Sequence, residues 1–223
     1  MAAEAVTISL AEGQQVSGLW LRPDGAKAAL VLAHGAGVGM THKSMTVVAE
    51  GLAKRKIATL RFNFLYMEKK SSRPDAPPLA HKAVRAAVAE GAKRAGKLPL
   101  FAGGRSFGGR MTSQAQALEP LPKVRGLVFF AYPLHPAGKP GVERAEHLRD
   151  VKVPMLFLQG SRDPLAELKL LEKTAKGLKS LATLKLAGDA DHSFHVPART
   201  GRKDADVMDE ILDTARDWML ANS

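Results

Sequence analysis

The sequence predicts one mostly parallel β-sheet with helices on both of its faces. Three observations carry that expectation. Strand-type apolar runs alternate with segments of helical period along the chain, and alternation of this kind builds βαβ units. Several strand runs, such as AALVLA and GLVFF, are continuously apolar, which suits strands buried on both faces. The chain has 223 residues, 45% hydrophobic and 25% charged, enough for a sizeable core and balanced like an ordinary globular protein. Length favours one domain spanning residues 1–223.

The elements follow in order. Residues 6–10 and 16–21 flank Ala11-Glu12-Gly13 and read as an N-terminal hairpin. Ala28–Ala33 is the first buried strand, followed by a helix over about 43–55 and a strand over Ile57–Phe62. Pro74, Pro77 and Pro78 mark a loop before an Ala-rich helix over 79–95. A strand over 98–102, a helix over 108–118 and strands over 126–130 and 155–158 come next. A helix over 166–178, a strand over 182–186 and a closing helix over 204–220 complete the chain. In the closing helix Val207, Ile211, Leu212, Ala215 and Met219 fall near one stripe. The long irregular stretch, residues 131–151, is rich in Pro and His and is expected to form a minimal cap or active-site loop.

Charge is the unusual quantity. Thirty-three Lys and Arg against 22 Asp and Glu give a net +11, a balance that invites a nucleic-acid or anionic-membrane reading. Two features oppose it. Only 5% of residues are aromatic, so stacking platforms for bases are scarce. The basic residues are also scattered, the densest groups being Lys54-Arg55-Lys56, Lys69-Lys70-Arg73 and Arg199-Arg202-Lys203. Solvated faces are the expected role, with no nucleic-acid partner. The absence of cysteine excludes disulfides, thiolate metal sites and a cysteine nucleophile. The first thirteen residues contain Glu4 and Glu12 and lack both a basic start and a long apolar core, so no signal peptide is expected. No run approaches about 18 apolar residues. The expectation is a cytoplasmic protein with no membrane span.

The chemistry starts at Gly104-Arg105-Ser106-Phe107-Gly108, a G-x-S-x-G that follows one predicted strand and opens a predicted helix. Alone the pattern is weak; in that context it reads as a nucleophile elbow, where a sharp turn lifts the serine oxygen above the sheet. A serine hydroxyl needs a general base. His192, in the loop after the strand over 182–186, is the expected base, with His195 the alternative. Asp163, directly after the strand over 155–158, is the expected acid that orients the imidazole. Asp189 and Asp191 sit beside His192 in sequence and read as turn formers. An oxyanion needs two preorganised N–H donors. Phe107 should supply one and Ala36 the other, with Gly37 the alternative, from the loop His34-Gly35-Ala36-Gly37-Val38-Gly39. That loop lacks both the P-loop ending and the dinucleotide G-x-G-x-x-G spacing. Arg105 either pairs with a substrate carboxylate or makes a structural contact. His135 either lines the pocket or ties its own loop.

Together the HGAG loop, the serine elbow, the acid turn and the terminal histidine loop resemble the α/β-hydrolase superfamily, and more closely its dienelactone-hydrolase-like branch of small predicted serine hydrolases. Arg61-Phe62-Asn63-Phe64, Tyr132-Pro133-Leu134-His135-Pro136 and Gln159-Gly160-Ser161-Arg162-Asp163 look like that branch's own signatures. The chain departs from true dienelactone hydrolases in carrying Ser106 where they use cysteine, so their lactone activity is not carried over. Leu65 also stands where branch members often have proline. The resemblance implies a serine esterase or thioesterase without metal or organic cofactor, acting on a small ester or thioester, with an anionic substrate favoured by the charge. The alternative is a non-catalytic binding or scaffold protein of the same fold with an acidic partner.

Overall fold

The computed structural model describes residues 2–223; Met1, the first residue of the expected 1–223 domain, and the side chain of Glu12 lie outside the described residues. Eight strands form one sheet: β1 (Glu4–Ser9), β2 (Gln15–Leu21), β3 (Ala28–Ala33), β4 (Ile57–Phe62), β5 (Leu100–Arg105), β6 (Val124–Phe130), β7 (Met155–Gly160) and β8 (Ala182–Ala187). Their order in space is β1-β2-β4-β3-β5-β6-β7-β8. The hairpin β1–β2 is antiparallel and joins β4 antiparallel; the pairs from β4 through β8 are parallel.

Period-two alternation divides the sheet's side chains between two cores. Ala29, Val31 and Ala33 of β3 face the core covered by α3 (Pro77–Ala95), α4 (Phe107–Leu118) and α5 (Leu168–Gly177). Ala28, Leu30 and Leu32 face the opposite core, covered by α1 (Lys43–Lys54) and α6 (Asp204–Ala221). Every residue of β3, β4 and β7 is buried, whereas edge strand β1 alternates between exposed and buried positions. The predicted stripe of α6, from Val207 to Met219, is buried in the second core. Among the described residues no helix is long and apolar enough to cross a membrane.

Several boundaries differ from the sequence expectation: β1 runs from Glu4 to Ser9 where 6–10 is expected, β6 starts at Val124 where 126 is expected, and β7 ends at Gly160 where 158 is expected. The strand expected over 98–102 runs instead from Leu100 to Arg105. The two glycines of the elbow, Gly103 and Gly104, pair with Val128 and Phe129 of β6 and extend the ladder, while the Leu98 N–H closes the turn after α3 on Ala95 O. Helix α3 starts at Pro77, with proline in its first turn, where the missing N–H costs nothing. Helix α5 starts at Leu168 rather than 166. A one-turn helix not expected from the sequence, α2 (Leu65–Glu68), follows β4. Leu65 is its first residue, a position that also suits proline, so the departure noted at Leu65 sits where either residue fits the turn.

The stretch 131–151, the expected cap or active-site loop, lies between β6 and β7. Residues Glu143–Asp150 form 3-10 turns, and the Tyr132 hydroxyl donates to Arg144 O at 2.8 Å, tying these turns to the end of β6.

Candidate active site

The chain direction along the sheet reverses around β3, which lies between β4 and β5. In parallel sheets a crevice opens at such a switch point, outside the carboxyl ends of the strands. The loops after β3 and β5 meet there. Strand β5 ends at Arg105 and α4 begins at Phe107, leaving Ser106 alone in the turn with φ 50° and ψ −116°. That conformation is rare for a residue with a Cβ. It is held from both sides: the Ser106 N–H donates to Phe130 O at 3.0 Å, and Ser106 O accepts from the Arg110 N–H at 3.1 Å. The neighbours must be small. A Cβ on Gly104 or on Gly108 would stand 2.5 Å from Ala33 O.

The structure brings Ser106, His192 and Asp163 together from three separate loops. The Ser106 Oγ–H donates to His192 Nε2 at 2.9 Å, and His192 Nδ1–H donates to Asp163 Oδ2 at 2.7 Å. Asp163 is buried, and its carboxylate is fully engaged. Oδ1 accepts the Leu165 N–H at 2.8 Å, and Oδ2 also accepts from Gln159 Nε2. Gln159 in turn accepts the Tyr132 N–H through Oε1 at 2.8 Å. In the sequence Gln159 figures only as part of the Gln159–Asp163 stretch, with no role of its own; it is also a polar residue in an otherwise apolar strand, MLFLQG.

The loop after β3 is pinned by the R-F-N-F stretch. His34 is fully buried; its Nδ1–H donates to Gly35 O at 2.8 Å and its Nε2 accepts the Phe64 N–H at 3.1 Å. The ring meets Phe64 edge-on at 4.9 Å. Burial lowers its pKa to about 4, so the imidazole is neutral. Asn63 Oδ1 accepts the Met40 N–H at 2.9 Å, and Arg61 Nη1 donates to Met40 O and Thr46 Oγ1. Of the expected donor on this loop, Ala36, and its alternative, Gly37, the Gly37 N–H donates to the Tyr66 hydroxyl at 3.2 Å. Ala36 lines the cleft beside Ser106 and Phe107.

The remaining candidates lie elsewhere in the network. Arg105 reaches the histidine loop, Nη2 lying 3.4 Å from His192 O and 3.3 Å from Ser193 Oγ. His135 is buried and links two loops. Its Nδ1–H donates to Pro136 O and its Nε2 accepts the Glu167 N–H, both at 2.8 Å. His195 points away to Asp204 at 2.9 Å, near the start of α6. The Asp191 carboxylate accepts the Ser193 and His195 N–H groups, the turn-forming contact expected of it, and the Asp189 N–H donates to Ser161 Oγ at 2.8 Å.

The cleft above Ser106 has a volume of about 380 Å³ and is lined by Ala36, Phe107, Pro133 and Leu165 together with Asp75, Arg110 and Arg144. A hollow of similar size between Val142, Arg149, Leu170 and Leu178 lies away from the hydrogen-bonded chain.

A parallel sheet whose switch point carries a strained serine, hydrogen-bonded in turn to a histidine and a buried aspartate, defines the architecture of the α/β hydrolases. The alpha/beta hydrolase domain family matches residues 26–220, and the chain belongs to it. Solved structures agree in fold. A dienelactone hydrolase from Anabaena variabilis superposes with a TM-score of 0.78 at 22% identity, covering 99% of this chain and 97% of that one. An alpha-beta serine hydrolase homologue from Coxiella burnetii gives 0.74 at 21% identity, covering 100% and 98%. A serine hydrolase described as lacking a lid, from Xanthomonas campestris, gives 0.73 at 22% identity, covering 98% and 95%.

Proposed function

We propose that this chain is a serine hydrolase that cleaves a small carboxylic ester or thioester within one domain spanning residues 1–223. The observation that carries the reading is the unbroken hydrogen-bond chain from Ser106 through His192 to the buried Asp163. Ser106 Oγ attacks the substrate carbonyl while His192 Nε2 takes its proton. The Asp163 carboxylate, held by Gln159 and the Leu165 N–H, fixes the ring and stabilises the imidazolium. The Phe107 and Ala36 N–H groups take the oxyanion. Ala36 is preferred over Gly37 because Tyr66 already engages the Gly37 N–H. His192 then returns its proton to the departing alkoxide or thiolate, and the acyl group stays on Ser106. Water attacks that acyl-enzyme, giving its proton to His192, which passes it to Ser106 Oγ as the acyl bond breaks and the carboxylic acid leaves.

Arg105 acts here as a positioning residue, bracing the backbone of the histidine loop through His192 O and Ser193 Oγ. His135 ties the loop after β6 to the loop after β7 and does not meet substrate. Hydrolysis of a panel of short 4-nitrophenyl esters by the wild type and by Ser106→Ala tests the reading. The variant should lose roughly 10³-fold or more in kcat. Equal rates from the two proteins remove Ser106 as the nucleophile.

A further inference from the structure

Resting on the hydrolase reading, we propose that Arg110 and Arg144 form an anion subsite, so that the substrate is an ester or thioester bearing a carboxylate close to its reacting carbonyl. Both arginines line the cleft that holds Ser106. Among the described residues neither guanidinium lies within ion-pair distance of a carboxylate; the other arginines without such a partner are exposed, except Arg61 and Arg105, which donate to oxygen acceptors instead. Arg110 is the sharper case. Its Nε is buried without a hydrogen-bond partner, and its guanidinium stands 6.0 Å from the centre of the Phe107 ring. Arg61 also has a buried, unpartnered Nε, but its Nη1 is satisfied twice.

Two partly buried like charges with no counter-ion are a costly arrangement. Burial, followed by the repulsion of Arg144, lowers the pKa of Arg110. The acid lining the cleft, Asp75, accepts the Tyr66 N–H at 3.1 Å and pairs with neither arginine. A ligand carboxylate supplies the missing acceptors, and guanidinium groups bind it through paired N–H donors.

The fold builds this arrangement. Arg110 lies one helical turn beyond Ser106 on α4, about 6 Å along the axis. Arg144 is presented by the 3-10 turns over Glu143–Asp150, its carbonyl held by the Tyr132 hydroxyl at 2.8 Å. A carboxylate reaching both guanidiniums is therefore separated from the ester carbonyl by only a few carbons. Arg105, directed at the histidine loop, does not contribute to this subsite.

The test compares kcat/KM for 4-nitrophenyl hydrogen glutarate and neutral 4-nitrophenyl valerate, which places the charge on the acyl side. Acetoxyacetate against ethyl acetate places it on the alcohol side. The wild type should prefer the charged member of at least one pair by tenfold or more. Arg110→Met and Arg144→Met should each lower that ratio at least tenfold, and Arg144→Lys should recover part of it. A binding arm needs no turnover. Ser106→Ala protein should bind monomethyl glutarate at least tenfold more tightly than methyl valerate by calorimetry, and adding Arg110→Met should abolish the difference. Ser106-dependent hydrolysis without charge preference overturns the subsite and leaves the hydrolase reading standing. Arg110-dependent binding of the anion without turnover does the reverse. Equal affinity for the two methyl esters overturns the subsite whatever the turnover.

Discussion

Acidification from pH 7.5 to pH 5 should destabilise this fold by about 3 kcal/mol, through histidines that the folded state keeps neutral. His34 is the principal one. Burial lowers its pKa from 6.5 to about 4, with its bond to Gly35 opposing the shift. In the unfolded chain it titrates near 6.5, so between pH 6.5 and 4 the unfolded state holds the extra proton and folding must expel it. The stability is fully present above pH 6.5 and is lost as pH falls toward 4. At pH 5 the linkage for His34 amounts to about 2 kcal/mol. His147, also lowered to about 4 by burial first and by Arg110 next, is partly solvent-exposed, which cuts its share to about 1 kcal/mol. Burial lowers His81 as well, adding in the same direction. His195, raised by the exposed Asp204, works the other way, and 0.5 M salt removes most of that opposing pair. The depressed carboxylates Asp204, Glu210 and Asp213 release their stability only below their ordinary values of 3.8 to 4.5, outside the window. Urea unfolding at pH 7.5, 6.5 and 5 in 0.5 M salt reads the effect as a shift in midpoint at constant slope. His147→Gln should shrink the shift by about a third. A midpoint that does not move between pH 7.5 and 5 refutes the neutral, buried His34.

Other substitutions probe the elbow and its supports. Gly104→Ala forces a Cβ to 2.5 Å from Ala33 O; because the obstruction is backbone, stability should fall by about 3 kcal/mol or more, read by thermal melting. Gln159→Leu orphans the buried Tyr132 N–H and removes one of the hydrogen bonds on Asp163. It should cost about 1–3 kcal/mol and lower kcat, and an unchanged kcat would show that Asp163 needs no such support. Arg105→Met should lower kcat for neutral and carboxylated esters by the same factor, roughly tenfold. A selective loss on carboxylated esters would instead place its guanidinium on the substrate.

Much of the fold was legible because its parallel strands are mainly apolar runs between turn signals, and the expected bounds of AALVLA and IATLRF match the structure to the residue. The misread end of β5 has a local cause. Gly103 and Gly104 carry no strand signal of their own, yet the pairing with β6 draws them into the ladder. Helix α2 is a single turn, too short for a hydrophobic period to show. The three members of the hydrogen-bonded chain were legible from their order and from their placement after strands. The supports were less legible: Tyr66 meets the Gly37 N–H 29 residues away, and Gln159 joins Asp163, four residues on, to the Tyr132 N–H 27 residues back. Arg110 had one faint signal: a cation set among Phe107, Gly108, Gly109 and Met111 at the buried start of α4.

Treatment with a fluorophosphonate probe, followed by peptide mapping, tests the activation of Ser106 most directly. A single labelled serine, Ser106, is expected, with labelling slowed by orders of magnitude in His192→Ala and abolished in Ser106→Ala. Labelling at another serine, or at none in the folded protein, would contradict it.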